Sequence, residues 1–228
     1  PANQHLINDS DWNPEGLAMS YSSGGFFSNF GGFFVEERPG SDNTHLFAAQ
    51  AGFRRDLVSG ARLTVGASYY GYDDVRGREP FFFGHGNLFD ENGRYINDFT
   101  EVELFGQLDF EIGGQPVRVF VDYVTNQDAD EFNEGYAVGV FYRDASGAGT
   151  WDIGYTYQDL EADAVIGTFS DSDWAGGGSD GKGHTFFASY VLNGGWNLGL
   201  RYIVNERYLA SGNPQDYNRL MADISFGF

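Results

Sequence analysis

Along most of this chain, apolar and polar side chains take alternate positions. Trp196, Leu198, Leu200, Tyr202 and Val204 are interleaved with Asn197, Gly199 and Arg201. Trp151, Ile153, Tyr155 and Tyr157 are interleaved with Asp152, Gly154, Thr156 and Gln158. Val117, Val119, Val121 and Tyr123 oppose Arg118 and Asp122, and Val102, Leu104 and Leu108 oppose Glu103, Gln107 and Asp109. A period of two belongs to a strand whose faces meet different surroundings. No segment carries a helical period. The pattern predicts strands over 16–22, 26–36, 44–56, 61–72, 99–111, 116–126, 135–144, 150–160, 184–192, 196–207 and 217–228. Most run to about 10 residues, the length a tilted strand needs to cross hydrocarbon and longer than the ~5–6 usual in soluble sheets.

The connections alternate as well. Short turns fall at Ser22–Gly25, around Val58–Gly60, at Gly113–Gln115, around Ala145–Gly147 and at Asn193–Gly195. Between them lie longer polar loops, 37–43, 73–98, 127–134, 161–183 and 208–216, which hold much of the acid. Short turns on one rim and long loops on the other are the habit of outer-membrane barrels, and a soluble sandwich has no reason to sort loops by parity.

Charge and composition narrow the reading. The chain has 33 acidic and 13 basic residues, a net charge of -20. That balance excludes nucleic acid, which calls for clustered Lys and Arg, and adhesion to anionic lipid headgroups. Cysteine is absent, so there are neither disulfides nor thiolate sites. The aromatic content of 18% is far too high for an acidic disordered chain. No run of ~18 apolar residues exists to make a transmembrane helix. The first residues, Pro1-Ala2-Asn3-Gln4, lack a Met and imply a processed or truncated chain.

A membrane barrel inverts the soluble arrangement, with apolar side chains outward and polar ones inward. The expected pore-lining residues are therefore Arg54, Glu103, Asp109, Arg118, Asp122, Arg143, Asp152, Arg201, Arg219 and Asp223. The apolar faces end in aromatics, among them Tyr69, Phe110, Tyr123, Tyr142, Trp151, Tyr157, Trp196 and Tyr202. Such rings suit a membrane–water boundary, being apolar in body and polar at the tip. The fold class expected is a transmembrane antiparallel up-and-down β-barrel.

In the last segment, Leu220, Ala222, Ile224, Phe226 and Phe228 share one face. This alternating stretch ending in Phe resembles the terminal strand by which outer-membrane proteins are recognised by the barrel-assembly machinery. The stretch Asp11-Trp12-Asn13-Pro14-Glu15-Gly16-Leu17-Ala18, with Gly32-Phe33-Phe34-Val35-Glu36-Glu37-Arg38 and Gln50-Ala51-Gly52-Phe53, resembles the "putative porin" family of Gram-negative bacteria. The resemblance implies a non-enzymatic, cofactor-free outer-membrane channel for small hydrophilic solutes or ions. It implies outer-membrane lipid and lipopolysaccharide as surroundings, a periplasmic C-terminus, and a homo-oligomer such as a trimer. Family members are longer, on the order of 16 strands.

Residues 1–228 are expected to form one barrel domain. Counting back from a periplasmic C-terminus puts residues 1–15 on the long-loop side and leaves an odd strand number. Bacterial barrels have even numbers, and an open edge cannot persist in lipid. Upstream strands are missing, or a partner chain closes the barrel, or residues 2–10 hold a twelfth strand; the first is preferred. A structural barrel whose acidic loops bind a partner is the alternative function.

Loop 73–98, with Pro80-Phe81-Phe82-Phe83-Gly84, is the candidate to fold into the pore, or else to pack on neighbouring loops. No metal site is expected. His5, His45, His85 and His184 lack ligand spacing, and Asp128-Ala129-Asp130-Glu131 and Asp171-Ser172-Asp173 read as solvated loops rather than calcium sites. Gly-x-Ser-x-Gly and cysteine nucleophiles are absent, so no enzyme is expected.

Overall fold

The computed structural model describes residues 6–9, 12–40, 43–58, 60–82, 84–192 and 195–227. Eleven antiparallel strands form one sheet, each bonded to its neighbour in sequence. They are β1 (Glu15–Ser23), β2 (Phe26–Glu36), β3 (Thr44–Asp56), β4 (Arg62–Tyr72), β5 (Thr100–Ile112), β6 (Gln115–Asn126), β7 (Glu134–Arg143), β8 (Trp151–Leu160), β9 (Gly181–Val191), β10 (Trp196–Arg207) and β11 (Gln215–Phe226). All the expected strands are present; β9 differs most, starting at Gly181 rather than 184. Among the described residues β1 pairs only with β2 and β11 only with β10, so the sheet has two free edges. Residues 6–9 form a turn, not the optional twelfth strand. The rest of 2–10, the turn residues Asn193 and Gly194, and Phe83 and Phe228 lie outside the described residues.

Connections sort by rim as the sequence implies. The β1–β2 and β5–β6 turns are two-residue hairpins made of Gly24-Gly25 and Gly113-Gly114, all four at positive φ. A hairpin matching the strand twist requires that geometry at both central positions, which glycine meets without strain. On the other rim, loops 73–99 and 161–180 are the longest.

The two faces differ in kind. Leu104, Val121, Leu200 and Leu220 are 55%, 51%, 52% and 69% exposed on one face. On the other, Glu103 and Asp122 are buried. So extensive an exposed apolar surface is untenable in water and natural in lipid. On β10 the apolar band runs from Trp196 to Val204. Eight residue steps at ~3.3 Å, tilted by ~40°, project to ~20 Å, near the ~25 Å apolar band of such barrels.

The high glycine and phenylalanine content has a structural cause. Phe27 sits opposite Gly52, Phe105 opposite Gly66, Phe120 opposite Gly139 and Phe141 opposite Gly154. Each ring lies across the backbone of its partner glycine; a Cβ on Gly139 would stand 2.2 Å from the Phe120 ring. Phe covers the glycine backbone, and the missing Cβ makes room for the ring.

The sheet is curled. Tyr70 of β4 and Tyr217 of β11 pack against one buried cluster, whereas a flat sheet would hold those strands ~34 Å apart at ~4.8 Å per step. That cluster joins Leu6, Val165 and Trp174 to Phe120, Val124, Phe141 and Ile203 of the wall. A second joins Phe81, Tyr95, Phe99 and Phe169 to Leu46 and Tyr72. The core is thus the inside of the curl, filled by described residues of loops 73–99 and 161–180 and by Leu6, Ile7 and Trp12 ahead of β1. The chain enters β1 from the long-loop rim, where Asp9 N–H donates to the Phe169 carbonyl, and Leu6 and Ile7 are buried against the wall.

Candidate functional site on the inner face

Strand register places the ten expected pore-lining residues on the face opposite the exposed apolar one. Several fall into transverse rows. Asp56, Arg62, Asp109 and Arg118 stand opposite one another on β3, β4, β5 and β6, with alternating sign. Arg62 Nε lies 2.7 Å from Asp56, and Arg118 Nε lies 2.7 Å from Asp109. These pairs are partly exposed, so they add little stability; together they form a row of alternating charge on the inner face.

The remaining charges are placed less uniformly. Arg54 lies over the Phe27 ring at 5.3 Å and Arg143 over the Phe141 ring at 4.7 Å. Asp152 caps the β7–β8 turn, its Oδ1 accepting from the backbone N–H groups of Asp144 and Ala145 at 2.8 and 2.7 Å. Asp223 is exposed on the free strand β11. Arg201 and Arg219 contact Asp171 and Asp173 of loop 161–180. Glu103 and Asp122 face inward but are covered, Asp122 in contact with the backbone of Leu6. Of the residues expected to form an assembly signal, Leu220, Ala222, Ile224 and Phe226 lie on the outer face of β11.

A polar row went unnoticed in the sequence. Ser20 donates to Asn29 at 2.7 Å, Asn29 to Gln50 at 3.1 Å, Gln50 to Ser68 at 3.1 Å and Ser68 to Glu103 at 2.5 Å. This chain crosses five strands. Its members share the parity of the charged positions, but uncharged residues give no signal until register lines them up.

The loops are joined as one body. Asn87 Nδ2 donates to the carbonyls of Ala162 and Val165, both at 2.7 Å, and its Oδ1 accepts from Gly167 N–H at 2.9 Å. Asp163 accepts from Leu88 N–H at 2.9 Å and from Asn97 at 2.8 Å. Burial raises the Asp163 carboxyl above the usual carboxylate range, opposed by those same donors; Asp180 shifts the same way, also through burial. Glu101 accepts from Ile166 N–H at 2.9 Å, tying the loop to β5. Of the aromatic run, Phe81 is buried against Tyr95 and Phe169, while Phe82 is exposed. Among the described residues, no group of three or more His, Asp or Glu comes together as a metal centre.

A curled antiparallel wall, apolar outside and polar inside, carrying long loops on one rim, is a strip of membrane β-barrel. The chain matches the family described as "Putative porin" over residues 105–228, more than half its length, and belongs to that family. No curated protein matches it. It is a porin-like outer-membrane protein.

Proposed function

We propose that the chain forms much of the wall of a water-filled channel for passive diffusion of small hydrophilic solutes or ions. The observation that carries this is the inversion: Leu200 and Leu220 face out while Arg118, Arg201 and Arg219 face the inside of the curl. The free edges of β1 and β11 are closed by further strands of the same domain, on the order of 16 in all. An unpaired row of N–H and C=O groups is not tolerated in hydrocarbon. Long loops face outside and the C-terminus the periplasm. Lipid and lipopolysaccharide surround the wall, the assembly machinery recognises β11 with Phe228, and protomers associate, as a trimer for example. The test is conductance of the purified protein in planar bilayers. Steady steps that scale with salt are expected, and their absence overturns the channel reading. One observation favours a second reading, a structural barrel with partner-binding acidic loops: the inserted loops fill the curl along most of its arc. That reading expects a silent bilayer.

A further inference from the structure

Arg201 of β10 and Arg219 of β11 project from adjacent strands into the curl, and two loop carboxylates occupy them. Asp173 divides its oxygens, Oδ1 lying 3.0 Å from Arg219 and Oδ2 3.4 Å from Arg201. Asp171 takes the other terminal nitrogen of Arg201. The Asp171 carboxylate also accepts from Asp173 N–H at 2.9 Å, and the N–H of Ser172 between them donates to the Asp9 carboxylate at 3.2 Å.

The loop has no need of these contacts for anchoring. Asn87 and Glu101 already bind it, Ser179 N–H donates to the His85 carbonyl at 2.9 Å, and Trp174, Val165 and Ile166 are buried in the clusters. Ion pairs this open to water hold little. Both arginines stay about a third exposed, at 32% and 40%, and both aspartates at 24%. The arrangement is that of an arginine pair holding a dicarboxylate, with the dicarboxylate supplied by the chain. Guanidinium is weakly hydrated and its planar fork matches carboxylate oxygens.

We propose that Arg201 and Arg219 form an anion subsite on the channel wall for small dicarboxylates, occupied by Asp171 and Asp173 until a solute displaces them. A solute carboxylate offers the arginines the same kind of contact that Asp171 and Asp173 supply, while the side-chain contact of Arg219 with Tyr217 stays in place. This rests on the channel reading for its physiological sense, but binding can be measured without conduction.

The probe is sodium succinate, titrated calorimetrically into the full-length protein in detergent micelles. The double variant Asp171→Asn/Asp173→Asn frees both arginines. It is expected to bind succinate about tenfold tighter than wild type, the gain when a self-occupied site is about nine-tenths filled. Adding Arg219→Gln to that variant returns binding to the wild-type level or below. Arg219→Lys, which keeps the charge and is less disturbing to the fold, falls between. Strand content by circular dichroism confirms that each variant is folded. In bilayers under a potassium chloride gradient, the double variant shifts the reversal potential toward anions. Succinate binding no tighter in the double variant than in wild type overturns the subsite. Tighter binding with no conductance in any variant upholds the subsite and overturns the channel.

Discussion

Replacing Leu200 by arginine puts a charge halfway along the apolar band of β10. Leu200 is 52% exposed on the outer face and lies four residues from Trp196 and four from Val204. At ~3.3 Å per residue and ~40° tilt it stands ~10 Å from either end of the band. Arginine at the midplane of a barrel wall costs ~2–4 kcal/mol, and near the interface ~0–1. Leu200→Arg should therefore lower the folding equilibrium by about 30- to 700-fold, with ~1.4 kcal/mol per decade, while Val204→Arg changes it by less than about tenfold. The assay is guanidinium titration of the full-length protein folded into lipid vesicles, followed by Trp fluorescence. Were this face in contact with water, both substitutions would fall within ~0.5 kcal/mol of wild type. Equal, small effects at the two positions would refute the inversion.

Gly139→Ala drives a methyl group into the Phe120 ring and should cost ~1–3 kcal/mol in the same titration; Phe120→Leu in that background should recover part of it. Asn87→Ala leaves the carbonyls of Ala162 and Val165 and the N–H of Gly167 without this partner, at ~1–3 kcal/mol for each group left buried and unpaired. Its effect is expected as faster proteolysis within 84–89 and 161–168, with the wall's strand content unchanged. The raised Asp163 carboxyl gives the loops a pH dependence. Because the folded value is the higher one, this contribution to docking is complete below the ordinary value of ~3.9 and fades as pH rises through the raised one. Asp180 adds in the same sense. Amide exchange at Leu88 and Ile166, corrected for intrinsic rate, should be more protected in mild acid than at neutrality, and Asp163→Asn should weaken that trend. Protection that grows with pH would contradict it.

The wall was readable because its information is local. Trp196 through Val204 show the strand and its apolar face by spacing alone, and Arg118 or Arg201 mark the opposite face by charge. The filling of the curl was not readable. The bond from Asn87 to Val165 joins residues 78 apart, and nothing near either position announces it. Loop 161–180 looked like a solvated acidic connection, yet it supplies Trp174, Val165 and Phe169 to the interior. Phe81 and Phe82 are alike in sequence; only the fold separates the buried one from the exposed one. The Phe–Gly pairs likewise exist only once register sets Phe120 opposite Gly139.

The neighbour-to-neighbour order of the strands has a kinetic side. Every hairpin can close as soon as its own two strands are present, so the wall accretes by short-range steps. The joined loops cannot: Asn87 and Val165 meet only after β5, β6, β7 and β8 stand in place. Contacts this distant in sequence form late because the intervening chain must first give up its freedom. Maturation should thus proceed in two stages, a wall with its interior still hydrated, followed by the settling of the loops that narrows it.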